Sequence, residues 1–370
     1  MLEHGGKLRD AAKRYNIPLE NWADLSTGIN PNGWRPETIS DDSWGRLPEA
    51  EDGLLEAARQ YYNCESLLPV AGSQAAIQLL PSLFERKEFK KKEFGSKEFE
   101  AKEAKEAKKN VGILNLSYAE HAHAWEKFGH HVISLTPDTI EQNLNELDIL
   151  LIVNPNNPTG ILFPPEKLTA WHNILKNKNG WLIVDEAFMD CTPEYSILPE
   201  SQLHNPNKLN NLIVLRSIGK FFGLAGIRVG FVAAPQNILN KLNELLGPWT
   251  ISGPARECAT QALNDYQWQQ TNQTYLASAS QRLIALLSEN HLTPDGSTRL
   301  FSWVKTENAK DLHESLARHG ILTRLFTSTS PQTDSLRFGL PANEKQWLQL
   351  GKALNSLSDL NTLNDIEAAR

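Results

Sequence analysis

The stretch "LIVLRSIGKFFGLAGIRVGFVAA", residues 212–234, decides the fold. Its two ends, 212–217 and 228–234, are largely apolar and read as strands buried on two faces. Between them lie Lys220 and Arg228, eight residues apart among glycines and apolar side chains. A lysine at the exit of such a strand is either a surface charge or a functional group at a strand end, and its neighbours in the sheet must decide which.

Further short apolar runs precede this stretch: 111–116, 131–135, 148–153 and 181–187, with amphipathic or capped segments between several of them. That alternation predicts an α/β fold around a mostly parallel sheet. After about residue 235 the pattern changes. Helical stretches over 237–246 and 254–290 lead to strand-like runs at 301–306, 321–326 and 335–340, then to a closing helix from about 343. This predicts a smaller α+β C-terminal domain over 237–370, entered by a connecting helix, behind a large domain at 46–236 and an N-terminal arm at 1–45. The segment 85–109, rich in Lys, Glu, Phe and Ala, reads as a charged surface insertion with charges three or four residues apart.

The chain has 370 residues, 40% hydrophobic and 22% charged, with a net charge of −7. That size supports a large core, and that charge argues against nucleic acid as a partner. No apolar run suggests a secretory signal or a membrane span. Cys64, Cys191 and Cys258 are far apart in sequence and match neither a zinc site nor a disulfide framework, so a reducing cytoplasm is expected. His121 with His123, and His130 with His131, lack carboxylates or cysteines at ligand spacing. They read as a solvated helix face and turn, with no metal expected.

In open parallel sheets, ligands gather at the carboxyl ends of the strands. There the sequence places Tyr118 after 111–116, Asn157 in the turn "NPNNPTG" after 148–153, Asp185 within "WLIVDEA", and Lys220 after 212–217. Each could be a cap, a turn or a core residue on its own; four at successive strand ends argue for a site. "VAGSQAAIQLL", 70–80, adds a Gly72–Ser73 turn running into a helix, where free N–H groups attract phosphate, and Arg228 can add a cation. A lysine, a carboxylate, an aromatic ring, an amide and a phosphate cradle together suit pyridoxal 5'-phosphate.

"NPNNPTG", "DEAF" and "SIGKFFGLAGIRVGF" resemble the fold-type-I pyridoxal-phosphate enzymes, in the branch of histidinol-phosphate aminotransferase. The resemblance implies Lys220 as the Schiff-base lysine and catalytic residue, and Asp185 as partner of the ring nitrogen. It further implies Asn157 near the phenolic oxygen, Tyr118 as the stacking ring, and Gly72, Ser73, Gln74, Ser217 and Arg228 at the phosphate. Arg337 in "SLRFGL" falls where the arginine for the substrate carboxylate stands. The opening "HGGKLRDAAKRYNIPLENWADLSTGINPNGW" is similar to threonine-phosphate decarboxylases of cobalamin biosynthesis. That likeness implies His4, Gly5, Asn30, Asn157 and Arg324 as further substrate contacts and O-phospho-L-threonine as substrate. It also implies a homodimer with shared active sites. Histidinol-phosphate amino transfer and phosphoserine decarboxylation are the alternatives. Two departures weaken the aminotransferase reading. Phe188 stands where that branch has a tyrosine, and Leu47 stands in "RLP" where it has a tyrosine reaching the neighbouring subunit's phosphate.

Overall fold

A computed structural model describes residues 4–84, 108–198, 209–327 and 334–368. The charged stretch 85–109 falls, from 85 to 107, outside the described residues. Among those described, seven strands form one sheet: β1 Leu67–Val70, β2 Asn110–Leu114, β3 His131–Leu135, β4 Ile149–Val153, β5 Trp181–Asp185, β6 Leu212–Ser217 and β7 Gly230–Ala233. Their spatial order is β1-β7-β6-β5-β4-β2-β3. Only β7 runs against its neighbours, pairing antiparallel with β1 and β6; β2 to β6 pair in parallel.

The continuous apolar runs follow from burial on both faces. Leu150, Ile152, Leu182, Val184 and Val214 join one core cluster, while Ile149, Leu151, Val153, Ile183, Ile213 and Leu215 join another. The two-residue alternation of strands thus sends neighbouring side chains into separate layers. Helices α1 Ser73–Leu79 and α2 Ala119–Lys127 cover the second face with Ala76, Ile77, Ala124 and Trp125. At the end of β5, Asp185 continues the row of Ile183, and Glu186 turns to the opposite face. There Arg216 is held between Glu186 and Asp190, fully buried, with Tyr62 4.5 Å from its guanidinium carbon.

β1 is not among the expected strands, and it contains Pro69. A proline tolerates this place because β1 is an edge strand. Two other expectations need correction. Arg228 precedes β7 in a left-handed conformation, φ +56°, and is no part of the strand. The helix expected over 254–290 is two helices, α3 Gly253–Asn264 and α4 Tyr266–Glu289. Asp265 breaks it by capping: its carboxylate accepts from the Trp268 amide at 3.0 Å and from the Trp34 indole at 2.9 Å.

A four-stranded antiparallel sheet of Gly296–Thr298, Phe301–Lys305, Arg324–Phe326 and Ser335–Gly339 lies in the C-terminal part. The N-terminal segment joins it to the Lys220 turn. Ala23–Asp24 pairs in parallel with Ile321–Leu322, and the amides of Asn30 and Trp34 donate to Lys220 and Phe222 carbonyls. That approach requires two glycines. A Cβ on Gly223, at φ +68°, would lie 2.5 Å from Gly33 Cα and 2.9 Å from the Asn30 carbonyl. Gly223→Ala therefore combines left-handed strain with a backbone clash and is expected to cost about 2–4 kcal/mol. An unchanged urea midpoint would contradict this.

Candidate active site

Lys220 enters the site from the turn after β6, half-buried, its Nζ 5.2 Å from the Phe188 ring centre. Burial, reinforced by the Arg337 and Arg228 charges and opposed by Asp185, pushes its ammonium down to about 8. Asp185, 3% exposed, ends β5. One of its oxygens accepts from the Ala187 amide at 3.0 Å; the other lies 2.8 Å from His121 Nε2. Tyr118 sits at the start of α2, its ring edge-on to His121, and its hydroxyl donates to Gln74 at 3.1 Å. Burial, then Glu120 and Asp185, push that hydroxyl up to about 12, so it remains a donor.

The turn before α1 is shaped for an anion. Gly72 has φ +72°, and a Cβ there would stand 2.8 Å from Arg228 Nη2. Bare backbone and a guanidinium thus share one small space at the helix start, beside the Ser73 and Gln74 amides; the next amide, of Ala75, donates to the Gly72 carbonyl at 3.1 Å. Ser217, at the end of β6 and paired with Gly230, is half-buried, its hydroxyl accepting from the Gly219 amide.

Arg337, 5% exposed, donates through Nη1 to Asn157 Oδ1 at 2.5 Å and through Nη2 to the Ser26 carbonyl at 2.7 Å. Its Nε is buried without a hydrogen-bond partner among the described residues. Arg324 is its direct opposite across the antiparallel ladder, and burial together with that like charge pushes the Arg337 guanidinium down from its usual range. Like charges directly opposite destabilise a sheet; the Asp24 carboxylate offsets part of the charge on Arg337, and a further anion beside the pair would offset more.

Of the remaining expected residues, His4 Nε2 lies 2.8 Å from Glu120, and Gly5 presses against the Ser26 carbonyl. Gln74 points its amide at Glu120 while accepting from Tyr118. The Asn30 side chain is turned into the protein. It donates to the Phe221 carbonyl and Asn272 and accepts from the Asn32 amide, and so braces the Lys220 turn. Leu47 is 64% exposed, outside this set.

His121 corrects the reading of a solvated helix face: it is 1% exposed and bonded to Asp185. His130 is buried too, bonded to the Pro81 carbonyl and the Lys109 amide; His123 and His131 are exposed. The signal for His121 was present, since His121, Ala124 and Trp125 form an i, i+3, i+4 buried stripe.

The aminotransferase class I and II family pattern matches residues 47–349. A threonine-phosphate decarboxylase of Pseudomonas aeruginosa is 48% identical over 96% of this chain and 97% of its own length. Another, from a Sinorhizobium species, is 36% identical over 88% of this chain and 90% of its own. The crystal structure of histidinol-phosphate aminotransferase from Sinorhizobium meliloti, in complex with pyridoxal-5'-phosphate, shares the fold at a TM-score of 0.74. It is 17% identical over 96% of each chain. The chain belongs to the aminotransferase class I and II family, alongside the threonine-phosphate decarboxylases.

Proposed function

We propose that the protein is a pyridoxal-phosphate-dependent carbon–carbon lyase that decarboxylates O-phospho-L-threonine. The product is (R)-1-amino-2-propanol O-phosphate, the aminopropanol linker of the cobalamin nucleotide loop. The observation that carries this reading is the Arg324–Arg337 pair, two cations opposite each other on one ladder, with Arg337 close enough to Lys220 to help lower its ammonium. A substrate with both an α-carboxylate and a phosphate answers that arrangement, and the two relatives bear the name of such an enzyme.

The residues fit the cofactor. A glycine whose Cβ would fill the space beside Arg228 leaves room for a phosphate, and Asp185 supplies a buried carboxylate for a ring nitrogen. Lys220 would hold the aldehyde covalently, with Tyr118 on the ring, Asn157 near the phenolic oxygen, and Ser73 and Ser217 beside the phosphate. When bound, the cofactor supplies an electrophilic carbon for the substrate amine and a ring that accepts the electrons released at Cα. Arg337, through its unpartnered Nε, binds the α-carboxylate. Arg324 and His4 take the phosphate. By fixing both anions, these residues orient the bond to the carboxylate, and orientation decides whether CO2 or a proton leaves. His121 keeps Asp185 aimed. Lys220 Nζ is the atom we assign to return a proton to Cα. Phe188, lacking a hydroxyl, leaves that nitrogen without a phenolic competitor.

The same reading includes a homodimer and a reducing cytoplasm. Trp44, Leu47 and Trp249 are 71%, 64% and 60% exposed. A groove of about 780 Å³ between Trp44, Leu224, Ile227 and Ile251 has Arg228 in its wall. A second copy seated there would cover the apolar rim and border the phosphate end. The three cysteines are buried thiols outside any disulfide. Among the described residues no helix is long and apolar enough to cross a membrane.

Purified protein with cofactor and O-phospho-L-threonine, without keto acid, is expected to release CO2 and the amino-alcohol phosphate, and Lys220→Ala to slow this about a thousandfold or more. Keto-acid-dependent amino transfer from histidinol phosphate with no CO2 release would overturn the assignment. Phosphoserine run in parallel measures the methyl group, worth about 1–3 kcal/mol. In cofactor-free protein, Lys220 must lose its proton to react with an amine-directed reagent. Its rate should therefore rise with pH and reach half its maximum near 8, against about 10.4 for an ordinary lysine; a midpoint above 10 would contradict the burial argument. Sedimentation should report two chains per particle, and Trp44→Glu should yield single chains with most activity lost; a wild-type protein already single-chain and active removes the dimer.

A further inference from the structure

The geometry points to Glu120 as the positioning residue that docks the N-terminal arm over the site and so sets how His4 meets the substrate's phosphate; this rests on the substrate reading above. Glu120 stands two residues after Tyr118 in the first turn of α2, its side chain 13% exposed. Its Oε1 lies 2.8 Å from His4 Nε2. Its Oε2 accepts from Gln74 Nε2 at 2.9 Å and from Gln78 Nε2 at 3.0 Å. Gln74 in turn accepts the Tyr118 hydroxyl at 3.1 Å. One carboxylate therefore joins the arm, the helix behind the phosphate-side turn and the aromatic ring beside them.

The arm has a second hold. Gly5 has no room for a Cβ against the Ser26 carbonyl, and the Gly6 amide donates to Ser26 Oγ at 2.8 Å. The same Ser26 carbonyl receives Arg337 Nη2. The arm is thus pinned between Glu120 and the residue assigned to the substrate carboxylate. With Nε2 committed to Glu120, the other ring nitrogen of His4 is the one presented to a ligand, because the two nitrogens of an imidazole point in different directions. An arm released from Glu120 would have to be ordered by the substrate itself, and that ordering weakens binding rather than chemistry.

The test separates arm docking from support of the ring. In holoenzyme without substrate, hydrogen exchange over residues 4–15 should quicken about tenfold at the Gly6 amide in Glu120→Gln. His4→Ala should do the same, and the two together no more than either. With O-phospho-L-threonine, Glu120→Gln should raise KM about tenfold and leave kcat within twofold, and Glu120→Asp should recover part of the loss. Unchanged exchange in the arm, or a fall in kcat with altered cofactor absorbance at constant KM, would overturn the proposal by limiting Glu120 to Gln74 and Tyr118. A holoenzyme that leaves phosphothreonine intact removes the substrate reading, while the exchange comparison still decides whether Glu120 docks the arm.

Discussion

A guanidinium buried between two carboxylates fastens the back of the site. Arg216 bonds Glu186 and Asp190, and all three are 3% exposed or less. Glu186 directly follows Asp185, and Arg216 directly precedes Ser217, so the same two strand ends carry the ion cluster on one face and the site on the other. Removing Arg216 from this cluster would leave two buried carboxylates without their cation, at about 3–5 kcal/mol. The cluster therefore locks the ends of β5 and β6 in register where Asp185 and the Lys220 turn must meet.

The front of the site is made from parts distant in sequence. The sheet contributes Asp185 and the turns bearing Asn157 and Lys220; the C-terminal ladder contributes Arg324 and Arg337; the N-terminal segment runs between them. Arg337 touches both Asn157 and Ser26, so one side chain joins all three parts. A site built this way is sensitive to the relative placement of its parts, and its hydrogen bonds double as the joints that keep the C-terminal sheet against the large one.

Much of this was legible in the sequence because parallel strands buried on two faces write themselves as unbroken apolar runs. The polar residue ending each run then has few places to be except the sheet's carboxyl edge. Asp185, Asn157, Tyr118 and Lys220 were visible for that reason. His121 carried a signal in its i, i+3, i+4 spacing with Ala124 and Trp125, but a histidine within "AEHAHAWEK" is ambiguous until the packing of those two settles how the helix is rotated against the sheet. Arg216 was hidden because its partners lie on a neighbouring strand end and the turn after it. Asn30 shows a third limit: its presence in "INP" was plain, but the carbonyl of Phe221 and the amide of Asn272 that consume its side chain come from nearly two hundred residues or more away. Glu120 is illegible in the sequence for the same reason, since its partners His4 and Gln74 belong to other elements.

The loop from Lys220 to Arg228 has a consequence of its own. The reversed strand β7 brings the chain back past Gly72, so a single eight-residue excursion carries both a reactive amine and a cation that borders the anion-shaped turn. A ligand gripped at one end finds the second grip already within a loop's length, at an effective concentration in the millimolar range or above. For a ligand held at both places, release would require both to open together, so its residence time would exceed what either contact gives alone.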